Sequence, residues 1–244
     1  RGAYEKHLPS IHNYIDFAEL LSELAGELNA SHTGATYFGH PNQWESAASL
    51  GLIYDDKYQG KGIRVRSILR GGPADLPGKP IKAGSIIYSV NGIDVLPGHD
   101  IYPLLNNLEG KLTRLSVLTP GNQDTISVVT KPISLSDEAH LAYKRWVTKR
   151  EELTERLSKG RIGYIHLPEM DNAAYRQLVN KLFGRYRDKE AVVIDVRYNT
   201  GGNLHDQIMQ VLSGVRHSSA LSRDGYSVGT FPLRRWAKPS IMLA

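Results

Sequence analysis

The pattern of apolar and polar positions divides the chain into three parts. Over residues 1–30, apolar residues recur at steps of three and four, which predicts helical structure with one apolar face. These positions are Tyr14, Phe17, Leu21, Leu24 and Leu28. Between residues 47 and 133, short apolar runs alternate with turns, which predicts a strand-rich module. From residue 161 onward, strand-like and helix-like patterns alternate, which is typical of a parallel sheet covered by helices.

The strongest strand prediction lies in this third part. Residues 191–196 form a short apolar run rich in β-branched side chains, as expected of a strand buried on both faces. A polar turn with Gly201 and Gly202 follows, and residues 203–213 then show helical spacing. The turn should therefore lie at the carboxyl end of a strand and the amino end of a helix, where open α/β sheets bind ligands.

Other segments complete the predicted organisation. Residues 134–159 are heavily charged with a thin apolar stripe, which indicates a largely solvated helix between two domains. Residues 214–237 show no clear periodicity, which predicts a functional loop or disorder. Residues 240–243 predict a last strand that joins the sheet. The resulting domains are a helical segment at 1–46, a strand-rich module at 47–133, a bridging helix at 134–160 and an α/β core at 161–244.

Composition removes several classes of function. Lys and Arg number 30 against 25 Asp and Glu, and the net charge of +5 is spread along all 244 residues. Without a basic cluster interleaved with aromatic residues, nucleic-acid binding is not expected. The chain has no Cys and no apolar run long enough to span a membrane. We expect neither a cofactor nor a metal, and the compartment stays open between cytoplasm and bacterial periplasm.

Two places carry candidate chemistry. The backbone N–H groups of Gly201 and Gly202 can face a phosphate, a carboxylate or a transient oxyanion, although a tight turn without chemistry fits the same pattern. Ser31 and His32 follow the first helical part. A histidine beside a hydroxyl can act as a general base, or it can simply cap a helix. His166, at the end of a predicted strand, is the rival base.

The strand-rich module resembles a PDZ domain of the bacterial protease type. The resemblance rests on Ser-Leu-Gly-Leu at 49–52, on Gly-Pro-Ala at 72–74 and on residues 83–92, which end in Val-Asn-Gly. It implies that a peptide C-terminus binds as an added strand, with its carboxylate held by the loop of Leu50, Gly51 and Leu52. The alternative is a PDZ fold that serves only as a spacer, with its groove blocked.

Nearly the whole chain resembles the tricorn-type serine peptidases, within the clan of tail-specific and C-terminal processing peptidases. The matching segments are residues 163–170, residues 193–202 and a strand near residue 240, in the order and spacing of that family. The tricorn branch is favoured because Ser31 and His32 precede the PDZ-like module, where those peptidases carry their catalytic histidine. The resemblance implies an α+β multidomain protein whose α/β core is a crotonase-like βαβ arrangement.

The same resemblance assigns roles to individual residues. It implies that His32 is the general base, that Ser31 orients it, and that the N–H of Gly201 or Gly202 lines the oxyanion hole. It places the nucleophilic serine and an acidic residue beyond residue 244, so that the core is incomplete at its C-terminus and this chain is inactive. Three residues that match the family pattern are expected to support the turn: Asp195, Arg197 and Asn199.

The resemblance also implies a substrate and an assembly. The expected substrates are unfolded proteins or oligopeptides, and the full-length protein is expected to form a homo-oligomer. The competing interpretation is a non-catalytic protein that binds peptide C-termini. A phosphate-binding α/β protein is less favoured, because the Lys and Ser or Thr that such a site needs do not follow Gly202.

Overall fold

The computed structural model of the chain describes residues 2–30, 33–39, 46–75, 78 and 80–244. The chain forms two compact units, Arg1–Ser46 and Ala47–Ala244. None of the helices within the described ranges is long and apolar enough to cross a bilayer.

The first unit is helical but interrupted. Helices α1 (Gly2–Glu5) and α2 (Tyr14–Gly26) flank a short 3₁₀ turn at Leu8–Ser10. The interruption follows from Asn13, which is extended and caps α2 by accepting hydrogen bonds from the N–H groups of the second and third residues after it, at 2.8 and 2.9 Å. The helical structure predicted for residues 1–30 is therefore confirmed at α1 and α2, but it is divided between them rather than continuous.

The second unit begins with a β-rich module. Its principal strands are β1 (Ala48–Ser49), β2 (Leu52–Tyr54), β3 (Ile63–Ile68), β4 (Ile86–Val90), β5 (Ile93–Asp94), β6 (Thr113–Leu118), β7 (Ile126–Thr130) and β8 (Ile133–Ser134). The main sheet has the order β2-β3-β4-β6-β7 with β5 beside β4, and its paired neighbours are antiparallel. Strands β1 and β8 form a separate antiparallel pair. A 3₁₀ turn at Tyr102–Leu105 packs onto the same apolar core.

A single long helix, α3 (Leu135–Leu157), follows this module. Ser134 caps its first turn by accepting a hydrogen bond from the Asp137 N–H at 3.0 Å. The helix has no buried residue, as its charged sequence predicts. Its side chains reach in two directions: Arg145 donates to Ser67 of the β-rich module at 2.8 Å, and Glu151 accepts from Lys181 of the following part at 2.5 Å.

The last part is an α/β core around three parallel strands. Their sheet order is β13-β10-β9, with β9 at Ile162–His166, β10 at Ala191–Asp195 and β13 at Ser240–Leu243. Helix α4 (Asn172–Asn180), extended by a π-helical turn at Lys181–Arg185, joins β9 to β10. Helix α5 (His205–Ser213) follows β10. The buried side chains of these strands and helices form one apolar cluster, which includes Ile165, Leu178, Leu182, Ile194 and Ile208.

Residues 214–237 contain ordered structure where a loop or disorder was predicted. Strands β11 (Ser218–Leu221) and β12 (Ser227–Phe231) pair as an antiparallel hairpin. That expectation was wrong because most of these strand residues are polar or exposed, so they lack the alternation that marks a half-buried strand. Trp236 then returns the chain to the core, where its backbone N–H donates to the Val211 carbonyl at 2.7 Å.

Candidate active site

The parallel strands bring their carboxyl ends to one edge of the sheet. His166 of β9 and Leu243 of β13 both lie in register with Asp195 of β10. Two turns therefore meet at this edge, residues 167–171 after β9 and residues 196–204 after β10. This edge is where the sequence placed the candidate chemistry, and it is where open α/β sheets bind ligands.

Asp195 anchors the start of the second turn. Its carboxylate is fully buried and accepts hydrogen bonds from the Tyr164 hydroxyl at 2.6 Å and from Arg197 Nη2 at 2.6 Å and Nε at 2.9 Å. Burial alone would raise the pKa of Asp195, but the hydrogen bonds from Arg197 and Tyr164 outweigh burial and lower that pKa far below its usual range. The carboxylate therefore stays ionised and serves as a support rather than as a proton donor.

Asn199 folds the turn back on itself. Its side-chain oxygen accepts a hydrogen bond from the Gly201 N–H at 2.7 Å, and its side-chain nitrogen donates to the Leu167 carbonyl at 2.8 Å. The Thr200 N–H donates to the Pro168 carbonyl at 2.9 Å. The turn after β10 is thus held against the segment after β9 by side-chain and backbone hydrogen bonds, in agreement with the supporting role predicted for Asn199.

The two glycines of the turn have different surroundings. Gly202 has a φ of +132°, and a Cβ at this position would lie 2.5 Å from the Met170 carbonyl oxygen, so only glycine fits. Gly201 has a φ of +100°, but a Cβ at that position would have no described atom within 4 Å. The Gly201 N–H is already bonded to Asn199, whereas no described acceptor bonds the Gly202 N–H. Of the two predicted donors, Gly202 is the available one.

Helix α5 adds to the positive character of this turn. Its cap residue, Leu204, offers no side-chain hydrogen bond to the first helical N–H groups. Those N–H groups and the helix dipole favour negative charge beside Gly202. An oxyanion that develops at this point would therefore be stabilised by backbone groups that are fixed before the substrate arrives.

His166 has no free nitrogen with which to act as the rival base. The side chain is buried, its Nδ1 lies 2.8 Å from the Tyr143 hydroxyl, and its Nε2 lies 2.9 Å from the Arg197 carbonyl oxygen. A carbonyl oxygen only accepts, so Nε2 carries the proton and Nδ1 accepts from Tyr143 in the neutral ring. With both nitrogens occupied, the geometry contradicts the interpretation of His166 as a base that activates a nucleophile.

Comparisons with known proteins agree with this geometry. Residues 161–243 match the model of peptidase family S41. This part of the chain belongs to peptidase family S41. The chain is 30% identical to tricorn protease homolog 1 of Streptomyces coelicolor over 86% of its own length and 20% of the relative. It is 27% identical to the tricorn protease homolog of Saccharolobus solfataricus over 98% of its length and 22% of the relative.

The fold of the chain is also similar to that of the tricorn protease crystal structure. The TM-score is 0.68 at 23% identity, and the match covers 99% of this chain and 24% of the solved one. The chain thus spans about a fifth of the length of the curated relatives named above. The similarity confirms that the mixed α/β fold predicted from the sequence is of the tricorn protease type.

The remaining predicted site residues lie away from this sheet edge or outside the described ranges. Ser31 and His32 lie outside the described residues, so their assignment stays a prediction. In the loop assigned to carboxylate binding, Leu50 and Leu52 are buried in the core of the β-rich module. The Gly51 N–H donates to the Ser49 hydroxyl at 2.9 Å, so an incoming carboxylate would compete with that hydroxyl for the N–H group.

A group of aromatic residues at the same sheet edge was not predicted from the sequence. Tyr143 and Trp146 come from α3, and Tyr198 comes from the turn after β10. Their rings meet around His166, with centroids 4.8 Å apart for Trp146 and His166 and 6.4 Å apart for Trp146 and Tyr198. In the sequence, Trp146 belongs to the thin apolar stripe of α3. This position indicates that Trp146 packs against another part of the protein, but it does not identify the residues that Trp146 contacts.

Proposed function

We propose that the full-length protein containing this chain is a tricorn-type serine peptidase that hydrolyses peptide bonds of unfolded proteins or oligopeptides. The observation that carries the proposal is the available Gly202 N–H at the carboxyl edge of a family S41 core. Acyl transfer from a peptide bond passes through a tetrahedral oxyanion, and a fixed backbone N–H is the group that stabilises it.

The proposed mechanism assigns the proton transfers to His32. A serine hydroxyl attacks the carbonyl carbon of the scissile peptide bond, and His32 takes the hydroxyl proton while Ser31 orients the imidazole. His32 then gives this proton to the leaving amine, and water hydrolyses the acyl-enzyme by the same route. As the resemblance to tricorn-type peptidases implies, we assign the nucleophile to a segment that follows β13, and we expect this chain alone to be inactive.

The β-rich module is assigned to substrate capture. As a PDZ-like domain it would bind a peptide C-terminus as a strand beside β2, which lies at the edge of its sheet. We further propose that the full-length protein is a homo-oligomer, as implied by its similarity to tricorn proteases. Both assignments are compatible with a peptide substrate, but the chemistry at Gly202 does not depend on either.

The test compares peptidase activity in four samples. An unstructured protein is incubated with the full-length protein, with its H32A variant, with its H140A variant and with this chain alone. His140 is exposed on α3 and provides the matched control. We expect activity in the full-length protein and in H140A, and a loss of at least about 10³-fold in H32A. Activity that survives in H32A would refute the assignment of the base, and inactivity of the full-length protein would favour a peptide-binding protein.

A further inference from the structure

An apolar pocket opens at the same sheet edge as the glycine turn. Its volume is about 410 Å³, which lies in the range of pockets that enclose small ligands. We call it the aromatic pocket, and its lining residues are Ala142, Tyr143, Trp146, His166, Pro168 and Tyr198. None of the roles assigned above to the oxyanion turn or to the general base uses this pocket.

The walls of the aromatic pocket are held in place before any ligand arrives. Tyr143 and Trp146 stack with ring centroids 6.4 Å apart, and Trp146 meets His166 edge to face at 4.8 Å. The hydrogen bonds of His166 to Tyr143 and to the backbone fix the orientation of the imidazole. Ordered aromatic walls lose little freedom when a ligand binds, so the pocket is preorganised.

The aromatic pocket adjoins the oxyanion turn, because Tyr198 of that turn is one of its lining residues. Pro168 lines the pocket, and its carbonyl accepts the Thr200 N–H of the turn at 2.9 Å. Tyr198 also lines the pocket and stands four residues before Gly202. Four residues span at most about 14 Å even when they are fully extended. A peptide whose scissile carbonyl meets Gly202 therefore has side chains within reach of the pocket.

The charges around the aromatic pocket favour an uncharged apolar occupant. Its lining residues include no carboxylate. The guanidinium of Arg150 already covers one face of Trp146, with Cζ 3.6 Å from the ring centroid. Both hydrogen-bonding atoms of the His166 ring are occupied by protein groups. A lysine or arginine side chain would meet a like charge without an acidic partner, and an acidic side chain would be desolvated against apolar walls.

Neither the backbone conformation of Tyr198 nor its exposure to solvent contributes to the stability of the fold. Its φ is +62°, in the left-handed region that bulky residues rarely adopt, and the residue is 83% exposed. The conformation strains the backbone and gains no burial in return, and strain of this kind is concentrated at ligand-binding and catalytic segments. The exposed residue lines the pocket and contacts Trp146 edge to face, with ring centroids 6.4 Å apart.

We propose that the aromatic pocket binds an aromatic or large aliphatic side chain of the peptide substrate, within about four residues of the scissile bond. This role deepens the proposed function and rests on it, because the occupant is taken to be a substrate. The pocket thereby selects apolar sequences, which unfolded proteins expose and folded proteins bury. Tyr198 and Trp146 are the specificity-determining residues in this assignment.

Binding to this chain tests the pocket without any requirement for catalysis. The probes are blocked peptides acetyl-Ala-Ala-Xaa-Ala-Ala-amide with Phe, Leu, Lys or Glu as Xaa, titrated while tryptophan fluorescence is followed. We expect Phe and Leu peptides to bind at least about 10-fold more tightly than Lys and Glu peptides. Equal binding of the Phe and Lys peptides would overturn the proposal.

A pair of variants locates the binding site. Y198N removes the ring but suits the left-handed backbone, because Asn tolerates positive φ, so the variant should fold. Y226N makes the same change at an exposed tyrosine of the β11–β12 hairpin. We expect the preference for Phe to fall to less than about 3-fold in Y198N and to be unchanged in Y226N. The reverse result, or equal losses in both variants, would refute the assignment.

Cleavage-site mapping tests the role of the aromatic pocket separately from the proposed peptidase activity. If the full-length protein cleaves an unstructured protein, apolar residues should be enriched within about four positions of the cut, and Y198N should reduce that enrichment. Cleavage with no such enrichment would refute the pocket while the peptidase stands. Selective binding of the Phe peptide by an inactive full-length protein would refute the peptidase while the pocket stands.

Discussion

The replacement G202A tests whether the turn is built around a glycine at this position. A Cβ at residue 202 would lie 2.5 Å from the Met170 carbonyl oxygen and 2.7 Å from the carbonyl carbon, both of which are backbone atoms. The Met170 backbone cannot simply move away, because its N–H donates to the Gly201 carbonyl at 2.7 Å and its carbonyl accepts from the Leu204 N–H at 2.9 Å. The clash must therefore distort both turns at the sheet edge.

The expected loss of unfolding free energy in G202A has two parts, and the matched variant G201A separates them. A side chain at a φ of +132° costs on the order of 1–3 kcal/mol through backbone strain alone. The contact with Met170 adds to that cost, and overpacking of this kind typically costs about 1–3 kcal/mol. G201A introduces the strain at a φ of +100° but has no described atom within 4 Å of the new Cβ, so it lacks the clash. We expect losses of about 2–6 kcal/mol for G202A and about 1–3 kcal/mol for G201A.

The assay is urea unfolding of this chain, followed by circular dichroism and tryptophan fluorescence. G184A supplies a second control, because residue 184 is exposed, has no left-handed φ and has open space beside it. Because residue 184 lies in the helical turn after α4, we expect G184A to leave stability unchanged or to raise it by up to about 1 kcal/mol. A loss in G202A no larger than the loss in G201A would show that the Met170 contact does not constrain the turn, and would refute the requirement for glycine at residue 202.

Two further predictions concern charged groups of the core. D195N should destabilise the core by about 2–4 kcal/mol, since it removes the negative charge and one of the two carboxylate oxygens that accept from Tyr164 and Arg197, whereas D206N at an exposed carboxylate in the first turn of α5 should cost no more than about 1 kcal/mol. Because folding lowers the pKa of Asp195, its contribution is complete above the unfolded pKa of about 4 and is lost as pH falls, so acid unfolding should become less steep in D195N. K181M, which breaks the largely buried ion pair with Glu151, should cost about 1–3 kcal/mol in urea unfolding, against less than about 1 kcal/mol for R161M at an exposed pair. If D195N and D206N, or K181M and R161M, lost equal free energies of unfolding, burial would not be the reason that these charged groups stabilise the core.

The α/β core could be predicted from the sequence because its signals are local. The apolar run that became β10, the glycines after it and the helical spacing of α5 lie within about 25 residues of one another, and they fix the strand, turn and helix together. The hairpin of β11 and β12 was not predicted because most of its residues are exposed and its sequence shows no alternation of apolar and polar positions. Its strands are specified by pairing with each other rather than by a buried side.

The aromatic pocket escaped prediction for a different reason. Trp146 stands on α3, 20 positions before His166 and 52 before Tyr198 in the sequence, and only packing of α3 against β9 brings the three rings together. Periodicity identifies which face of a helix is apolar but not which strand that face meets. The left-handed backbone of Tyr198 is equally invisible in the sequence, because tyrosine gives no signal for positive φ.

The pairing of Asp195 with Arg197 holds the turn in place, and it also reduces the negative charge near the oxyanion site. An isolated buried carboxylate at the end of β10 would repel negative charge that develops at the turn a few residues later, and the repulsion would be strong in a poorly solvated interior. The Arg197 guanidinium lies 2.6 Å from that carboxylate and cancels its charge, while the Arg197 N–H also bonds to it at 3.0 Å and shapes the backbone. The turn is thus held by an ionic anchor that itself adds little net charge to the turn. The N–H of Gly202 and the amino end of α5 both favour an anion at the turn, and they are opposed only by carboxylates outside this anchor, such as the exposed Asp206 in the first turn of α5.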